Sequence, residues 1–265
     1  MRVEHLLPAH LIQNNSPLRV LVVGAGGTGS AIVMGLPYLH QALLAWGRPG
    51  GLEVILVDPD TVSATNCVRQ PFSESDIGQN KSIVLVNRIN QFWGTRWHAA
   101  AVPFTACTLQ RNTTWTPDLL IGCVDTKAAR RSIATALTKR GASTTFWLDI
   151  GNNASSGQYV LGQPKNMTNR MFAQRLPTVA EIYPEIIDTS TGEDSLPSCS
   201  AVASLDLQEP FINQTLAMSA LSMLSRLFRY GRLSYHGAFF NAATGHISSL
   251  AVDSVRWKKT HKTAA

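Results

Sequence analysis

The feature that most narrows what this chain can fold into is an apolar run, Arg19-Val20-Leu21-Val22-Val23. It passes without a break into Gly24-Ala25-Gly26-Gly27-Thr28-Gly29-Ser30 and then into a helix-compatible stretch through Ile32, Met34 and Leu36. A β-branched strand, a glycine turn and a helix in that order open a parallel α/β sheet with a phosphate-cradling turn. Gly24 lets the chain reverse, Gly26 lets a phosphate approach bare backbone, and Gly29 lets the new helix pack close to the sheet. The first N–H groups of that helix then face an anion. A second strand over 52–57 delivers Asp58 where a ribose hydroxyl would lie. Glycine turns also serve strand-to-helix geometry for its own sake, so the turn by itself names no ligand. Strand, turn, helix, second strand and terminal acid in series point to a nucleotide.

The pattern predicts an α/β fold: a Rossmann-like, doubly wound, mainly parallel sheet, extended by C-terminal antiparallel strands. Residues 1–17 read as an N-terminal arm closed by the turn Asn14-Asn15-Ser16-Pro17, and 18–163 as the nucleotide-binding core. Within the core the first helix should run to about Leu44, and Trp46-Gly47-Arg48-Pro49-Gly50-Gly51 ends it. A helix over 79–92 should turn Ile83, Val86, Ile89 and Asn90 inward. Strands follow over 97–102 and 118–124, the latter a continuous apolar run suited to a central parallel strand and ending at Asp125. A helix over 128–139 leads to a strand pair, 144–150 and 157–161, about the turn Gly151-Asn152-Asn153. Periodicity then fades over 164–204, an irregular crossover. A long helix over 211–228 resumes it, with Ile212, Leu216, Ala220, Met223 and Leu227 on one stripe. A hairpin of strands over 235–241 and 246–252 and a basic tail over 254–265 complete a single domain.

At 265 residues and 45% hydrophobic content the chain can bury a sizeable core. Its net charge of +6 is spread out, and only Lys258, Lys259, His261 and Lys262 cluster, as a solvated tail, so no nucleic-acid partner is expected. An acid and a histidine at the start, before an apolar patch broken by Pro8, argue against a secretion signal. Asn213, Gln214 and Arg226 in the longest apolar helix argue against a membrane span, so the expected location is cytoplasmic. Cys67, Cys107, Cys123 and Cys199 show no paired spacing, which supports neither a disulfide framework nor a structural zinc.

Three further segments, Asp58-Pro59-Asp60-Thr61-Val62, Asn66-Cys67-Val68-Arg69-Gln70 and Gly78-Gln79-Asn80-Lys81, carry chemistry. Arg69 offers a planar fork for phosphate oxygens and Lys81 a point charge, the cations that charge concentrating on a phosphate chain requires. Asp125 ends a buried strand at the carboxyl edge of the sheet, where one carboxylate together with phosphate oxygens can hold Mg²⁺. The series resembles the ATP-binding signature of the ThiF/MoeB/ubiquitin-activating superfamily, whose members adenylate the C-terminus of ubiquitin-fold proteins. Motif-level similarity covers about 18–158.

The resemblance implies ATP and Mg²⁺ as cofactors, with Arg69 and Lys81 on the phosphates, Asn66 in the site and Gln70 shaping the loop. It also implies Asp125 as the metal-site aspartate and Arg130 as an arginine of the same motif, with Thr126 standing where the family usually writes Asn. Many relatives bind zinc through two Cys-x-x-Cys pairs, and this sequence has none. Ubiquitin-activating relatives use a crossover cysteine for a thioester, and Cys199 is the one cysteine so placed. Family homodimers insert an N-terminal arginine across the dimer, for which only Arg2 is available before Arg19. Pro197-Ser198-Cys199-Ser200 and the segment from Phe211 to Ala217 are most similar to ThiF-like proteins of bacterial PRTRC-type operons. That similarity implies a ubiquitin-like partner ending in glycine and a conjugating-enzyme-like partner.

Two other classes fit parts of the pattern. A dinucleotide-dependent oxidoreductase would use the glycine turn and Asp58 for NAD but leaves Arg69, Lys81 and Asp125 without a role. A non-catalytic scaffold binding a ubiquitin-like protein has no need of those same three charges.

Overall fold

The computed structural model describes residues 3–12, 15–105, 115–172, 174–191 and 209–252. The N-terminal arm forms a two-residue strand, β1 (His5–Leu6), and one helical turn, α1 (Ala9–Ile12). The core then alternates: β2 (Leu18–Val23), α2 (Gly27–Ala45), β3 (Leu52–Val57), α3 (Lys81–Trp93), β4 (His98–Ala100), β5 (Leu119–Gly122), α4 (Lys127–Thr138) and β6 (Phe146–Asn152). After β7 (Ser156–Gly162) come short helical turns including α5 (Val179–Ile182), and then α6 (Ile212–Tyr230). The strands β8 (Arg232–Leu233), β9 (Tyr235–Asn241) and β10 (His246–Ala251) follow.

Eight strands form one sheet in the order β10-β9-β7-β6-β5-β2-β3-β4. The five from β4 to β6 are parallel, and β7, β9 and β10 extend the sheet by antiparallel pairing. The predicted parallel core, antiparallel extension and closing hairpin are thus observed. From β2 the chain builds outward through β3 and β4, then crosses back to β5 and β6 on the other side. The order therefore reverses between β2 and β5, which opens a crevice at their carboxyl ends, the place where open α/β sheets take ligands.

Both faces of the sheet are covered, which is why β2 and β5 read as unbroken apolar runs. On one face α2 and α6 pack side by side. Ile32, Leu36 and Leu43 meet Leu216, Ala220 and Leu224 in the larger apolar cluster. Gly35 makes that approach possible, since a Cβ there would stand 2.5 Å from Leu221 Cδ1. The stripe Ile212, Leu216, Ala220, Met223 and Leu227 is buried throughout, as its spacing predicted. The opposite face is closed by α4 and by the segment around Val179 and Tyr183.

Several predicted details shift. The strand expected over 97–102 is limited to His98–Ala100. Gly151 and Asn152 continue β6, paired with Gln158 and Gly157, so the turn lies beyond them. In α3 the buried residues include Val84, Leu85, Val86 and Ile89, while Ile83 is exposed. The arm is tied down: β1 pairs with β8, and Arg48 Nη1 donates to Leu11 O at 2.5 Å. No helix among the described residues is long and apolar enough to cross a membrane.

Candidate active site

The glycine turn follows β2 at the crevice. Gly24 has φ of +96°, and its N–H donates to Val57 O at 2.9 Å. A Cβ there would meet Cys123 O at 2.6 Å, so the turn lies directly on the chain leaving β5. A Cβ on Gly29 would fall 1.9 Å from Gly24 O, and one on Gly27 would fall 2.5 Å from Asn213 Nδ2 and 3.1 Å from Arg69 Nη1. Gly26 differs from these, because a Cβ there would meet nothing within 4 Å among the described residues. Gly24 and Gly29 are therefore required by packing against backbone and Gly27 is crowded by two side chains, whereas Gly26 is the glycine of this turn that faces open space among the described residues. Gly26 is also the N-cap of α2 and makes no side-chain cap, so the first-turn N–H groups of a 19-residue helix are directed toward that space.

Asp58 closes β3 and is buried. Its Oδ2 accepts from Ala25 N–H at 2.5 Å and its Oδ1 from Asp60 N–H at 2.8 Å. Burial pushes this carboxyl above its ordinary range while the two backbone hydrogen bonds pull it back. Asp58 thus ties the glycine turn to the loop after β3. On that loop Asp60 holds Lys81 twice: Asp60 O accepts from Lys81 N–H at 2.9 Å, and Asp60 Oδ2 lies 3.1 Å from Lys81 Nζ. Asn80 caps α3 by accepting from Ile83 N–H, and its Nδ2 donates to both Asp58 O and Asp60 O at 3.0 Å. Lys81 is therefore placed at the start of α3 by a cap that also grips the Asp58 loop.

The next loop holds Asn66 in a capping box, its Oδ1 accepting from Ser63 N–H at 2.9 Å. Gln70 N–H donates to Asn66 O at 3.0 Å, which folds the Asn66–Gln70 segment on itself. That fold brings the Arg69 guanidinium over Gly27, where partial burial works against its charge. Gln70 Oε1 is buried without a hydrogen-bond donor among the described residues.

Asp125 is exposed beyond β5. Thr126 caps α4, its Oγ1 accepting from Ala129 N–H at 3.2 Å, so the threonine supplies the helix-capping oxygen at this position. Arg130 does not lie on a solvated helix face. Its Nε stands 3.4 Å from Asp149 Oδ1, and its Nη1 reaches Asp125 O at 3.5 Å. Asp149 is wholly buried, and burial pushes its carboxyl up to about 6 against the pull of Arg130. Burial, with Asp149 nearby, drives the thiol of Cys123, half-buried against the core, far up. Cys199 and Arg2 lie outside the described residues.

A family model described as the ThiF family matches residues 6–262. The chain belongs to the ThiF family. The fold agrees: the crystal structure of PaaA superposes with a TM-score of 0.59 at 12% identity, covering 92% of this chain and 65% of that one. E. coli MccB with ATP gives 0.56 at 17%, covering 91% and 66%. MccB with succinimide gives 0.59 at 17%, again covering 91% and 66%. This ThiF-family chain thus spans just under two thirds of the length of those structures. No curated protein matches it.

Motif reading gave no role to several residues around the glycine turn. Asn80, Thr28, Asn152, Asp149 and Asn213 come toward it from separate elements. Thr28 and Asn80 stood inside quoted motifs, and Asn80 also carries the signal of a cap, an asparagine before an apolar helix. Among the described residues no three His, Cys, Asp or Glu side chains gather as a metal cage. A single carboxylate such as the exposed Asp125 is a donor that would hold a divalent ion only together with oxygens of a bound phosphate chain.

Proposed function

We propose that this chain activates a carboxylate with ATP, and that the carboxylate is the C-terminal glycine of a ubiquitin-fold partner. The observation that carries the reading is Gly26, the one glycine of the turn with nothing within 4 Å among the described residues, at the N-terminus of α2, with the Arg69 guanidinium over the adjacent Gly27 and Lys81 braced by Asp60 at the start of α3. The solved MccB with ATP, a chain of the same fold, supports the nucleotide.

In the proposed reaction a carboxylate oxygen attacks the α-phosphorus of ATP. The bond from that phosphorus to the bridging oxygen breaks, and the electron pair leaves with pyrophosphate. The chain's contribution is electrostatic and positional. Helix N–H groups beside Gly26 and the Arg69 fork hold phosphate oxygens, and Lys81 offsets the charge gathering on them. Asp60 keeps the Lys81 ammonium at its post, and Asp58 keeps Asp60 next to the turn. Asp125 would hold magnesium, which supplies further positive charge to the departing pyrophosphate. The Cys199 thiolate would then attack the acyl carbon of the adenylate, the bond to the phosphate oxygen breaking and AMP leaving, to hold the acyl group as a thioester for hand-over to a conjugating-enzyme-like partner. Arg2 of a second copy would complete the site in a cytoplasmic homodimer.

The test is ATP–pyrophosphate exchange with a candidate ubiquitin-fold partner. Absence of exchange in the wild type, or undiminished exchange after Asp125→Ala, overturns adenylation. A reducible adduct that persists in Cys199→Ala overturns the thioester separately.

A further inference from the structure

The first turn of α6 places two consecutive polar side chains, Asn213 and Gln214, against the phosphate site, and the adenylation scheme gives neither a task. Asn213 is 2% exposed. Its Oδ1 accepts from Thr28 Oγ1 at 2.8 Å, and Asn152 Oδ1 at the end of β6 stands 3.3 Å from the same hydroxyl. Its Nδ2 shares the bare face of Gly27 with Arg69 Nη1, at 2.5 and 3.1 Å from the position of a Cβ. Gln214 Nε2 reaches Arg69 O at 3.5 Å. One helical turn thus touches both halves of the site, the glycine turn and the Arg69 loop.

Packing does not require this polar cluster. Along their length α2 and α6 are joined by apolar contacts, Ile32, Leu36 and Leu43 against Leu216, Ala220 and Leu224. A buried amide–hydroxyl pair contributes little net stability over an apolar pair of the same shape, but it fixes direction, because each atom has a defined partner. The polar pair stands at the end of the helix pair that carries the glycine turn.

We infer that Asn213 and Thr28 are positioning residues for nucleotide binding: their amide–hydroxyl bond sets the glycine turn and the Arg69 guanidinium at the mutual orientation that receives the phosphates. The inference rests on the nucleotide reading above. Asp at position 213 would put a carboxylate beside Arg69 and draw the guanidinium away from phosphate. Val at position 28 keeps the shape and removes the hydroxyl, whereas Ser keeps the hydroxyl.

The experiment is calorimetric titration of the full chain with Mg-ATP, paired with thermal unfolding of each variant. Asn213→Asp and Thr28→Val should each weaken binding by about tenfold or more, while Thr28→Ser stays near wild type; a tenfold change is about 1.4 kcal/mol. In exchange assays the loss should fall on the KM for ATP rather than on kcat. A wild type that fails to bind Mg-ATP overturns the nucleotide reading and this inference with it. A wild type that binds, with both variants binding equally tightly, overturns this inference alone, whatever their melting temperatures. Should Thr28→Val not fold, Asn213→Asp carries the test by itself.

Discussion

Gly26→Ala separates folding from binding more cleanly than any other change in the glycine turn. Gly26 is extended, with φ of −70°, a conformation open to alanine, and a methyl group there meets nothing within 4 Å among the described residues. Loss of glycine's freedom in the unfolded chain favours alanine by up to about 1 kcal/mol, while alanine is a poorer N-cap than glycine by a similar amount, so the two should roughly cancel. The methyl would stand where a phosphate oxygen must approach the backbone. Overpacking of that kind costs about 1–3 kcal/mol, which as affinity is roughly a 5- to 150-fold weaker Kd for Mg-ATP. The neighbouring glycines behave in the opposite way. A methyl on Gly29 would sit 1.9 Å from Gly24 O, backbone against backbone, and one on Gly24 would add a positive φ of 96° to a 2.6 Å contact with Cys123 O. Both should lower the melting temperature sharply, with binding lost only as the fold is lost. Differential scanning calorimetry and Mg-ATP titration on the same samples decide. A Gly26→Ala protein that binds Mg-ATP with wild-type affinity refutes the placement of phosphate over this turn. One that melts several degrees lower refutes the emptiness on which the argument stands.

Lys81→Met should reduce exchange by roughly 100-fold with little change in melting temperature, because its partner Asp60 is 64% exposed and such pairs are worth about 0–1 kcal/mol. Asp149 carries a carboxyl raised to about 6, so the folded state binds the extra proton and stability falls as pH rises from about 4 to about 6, by at most about 3 kcal/mol. Asp149→Asn should remove that slope from the stability–pH curve, which urea titrations at each pH would measure. Glu181 shows the reverse sign. Burial pulls its carboxyl up, yet hydrogen bonds from Arg175, Thr178 and Lys165 outweigh burial and hold it at about 2. Its contribution is present above about pH 4.5 and fades as pH falls toward 2. Glu181→Gln should therefore be less stable than wild type at neutral pH, with the gap closing in acid.

The parallel core was legible because its strands are buried on both faces and so write long apolar runs, and because glycine marks the turn after β2. The charged loop residues were legible as a series, since Asp58 follows β3, Arg69 lies in the loop to α3, Lys81 begins α3 and Asp125 lies between β5, which stops at Gly122 rather than at the expected 124, and α4. The faces of α3 were less legible. Ile83 and Val84 stand side by side, and helical spacing alone does not tell which of two overlapping apolar stripes meets the sheet; Val84 does. Arg130 next to Arg131 reads as a solvated pair until β6 is placed beside β5, which brings a buried carboxylate from residue 149 under the first of them. Asn213 was legible only as a polar residue in an apolar helix. Its contact with Thr28 comes from the packing of α6 on α2, between residues 185 positions apart.

The brace made by Asp58 has an evolutionary corollary. A carboxylate that fastens two loops through the chain's own amides, Ala25 and Asp60, is a joint of the architecture before it is a sensor of sugar. Descendants of such a chain cannot retune recognition at that position without loosening the hinge on which Lys81 hangs. Drift in nucleotide preference would therefore accumulate on side chains with no such double duty, and position 58 would stay fixed even in a lineage that had abandoned catalysis.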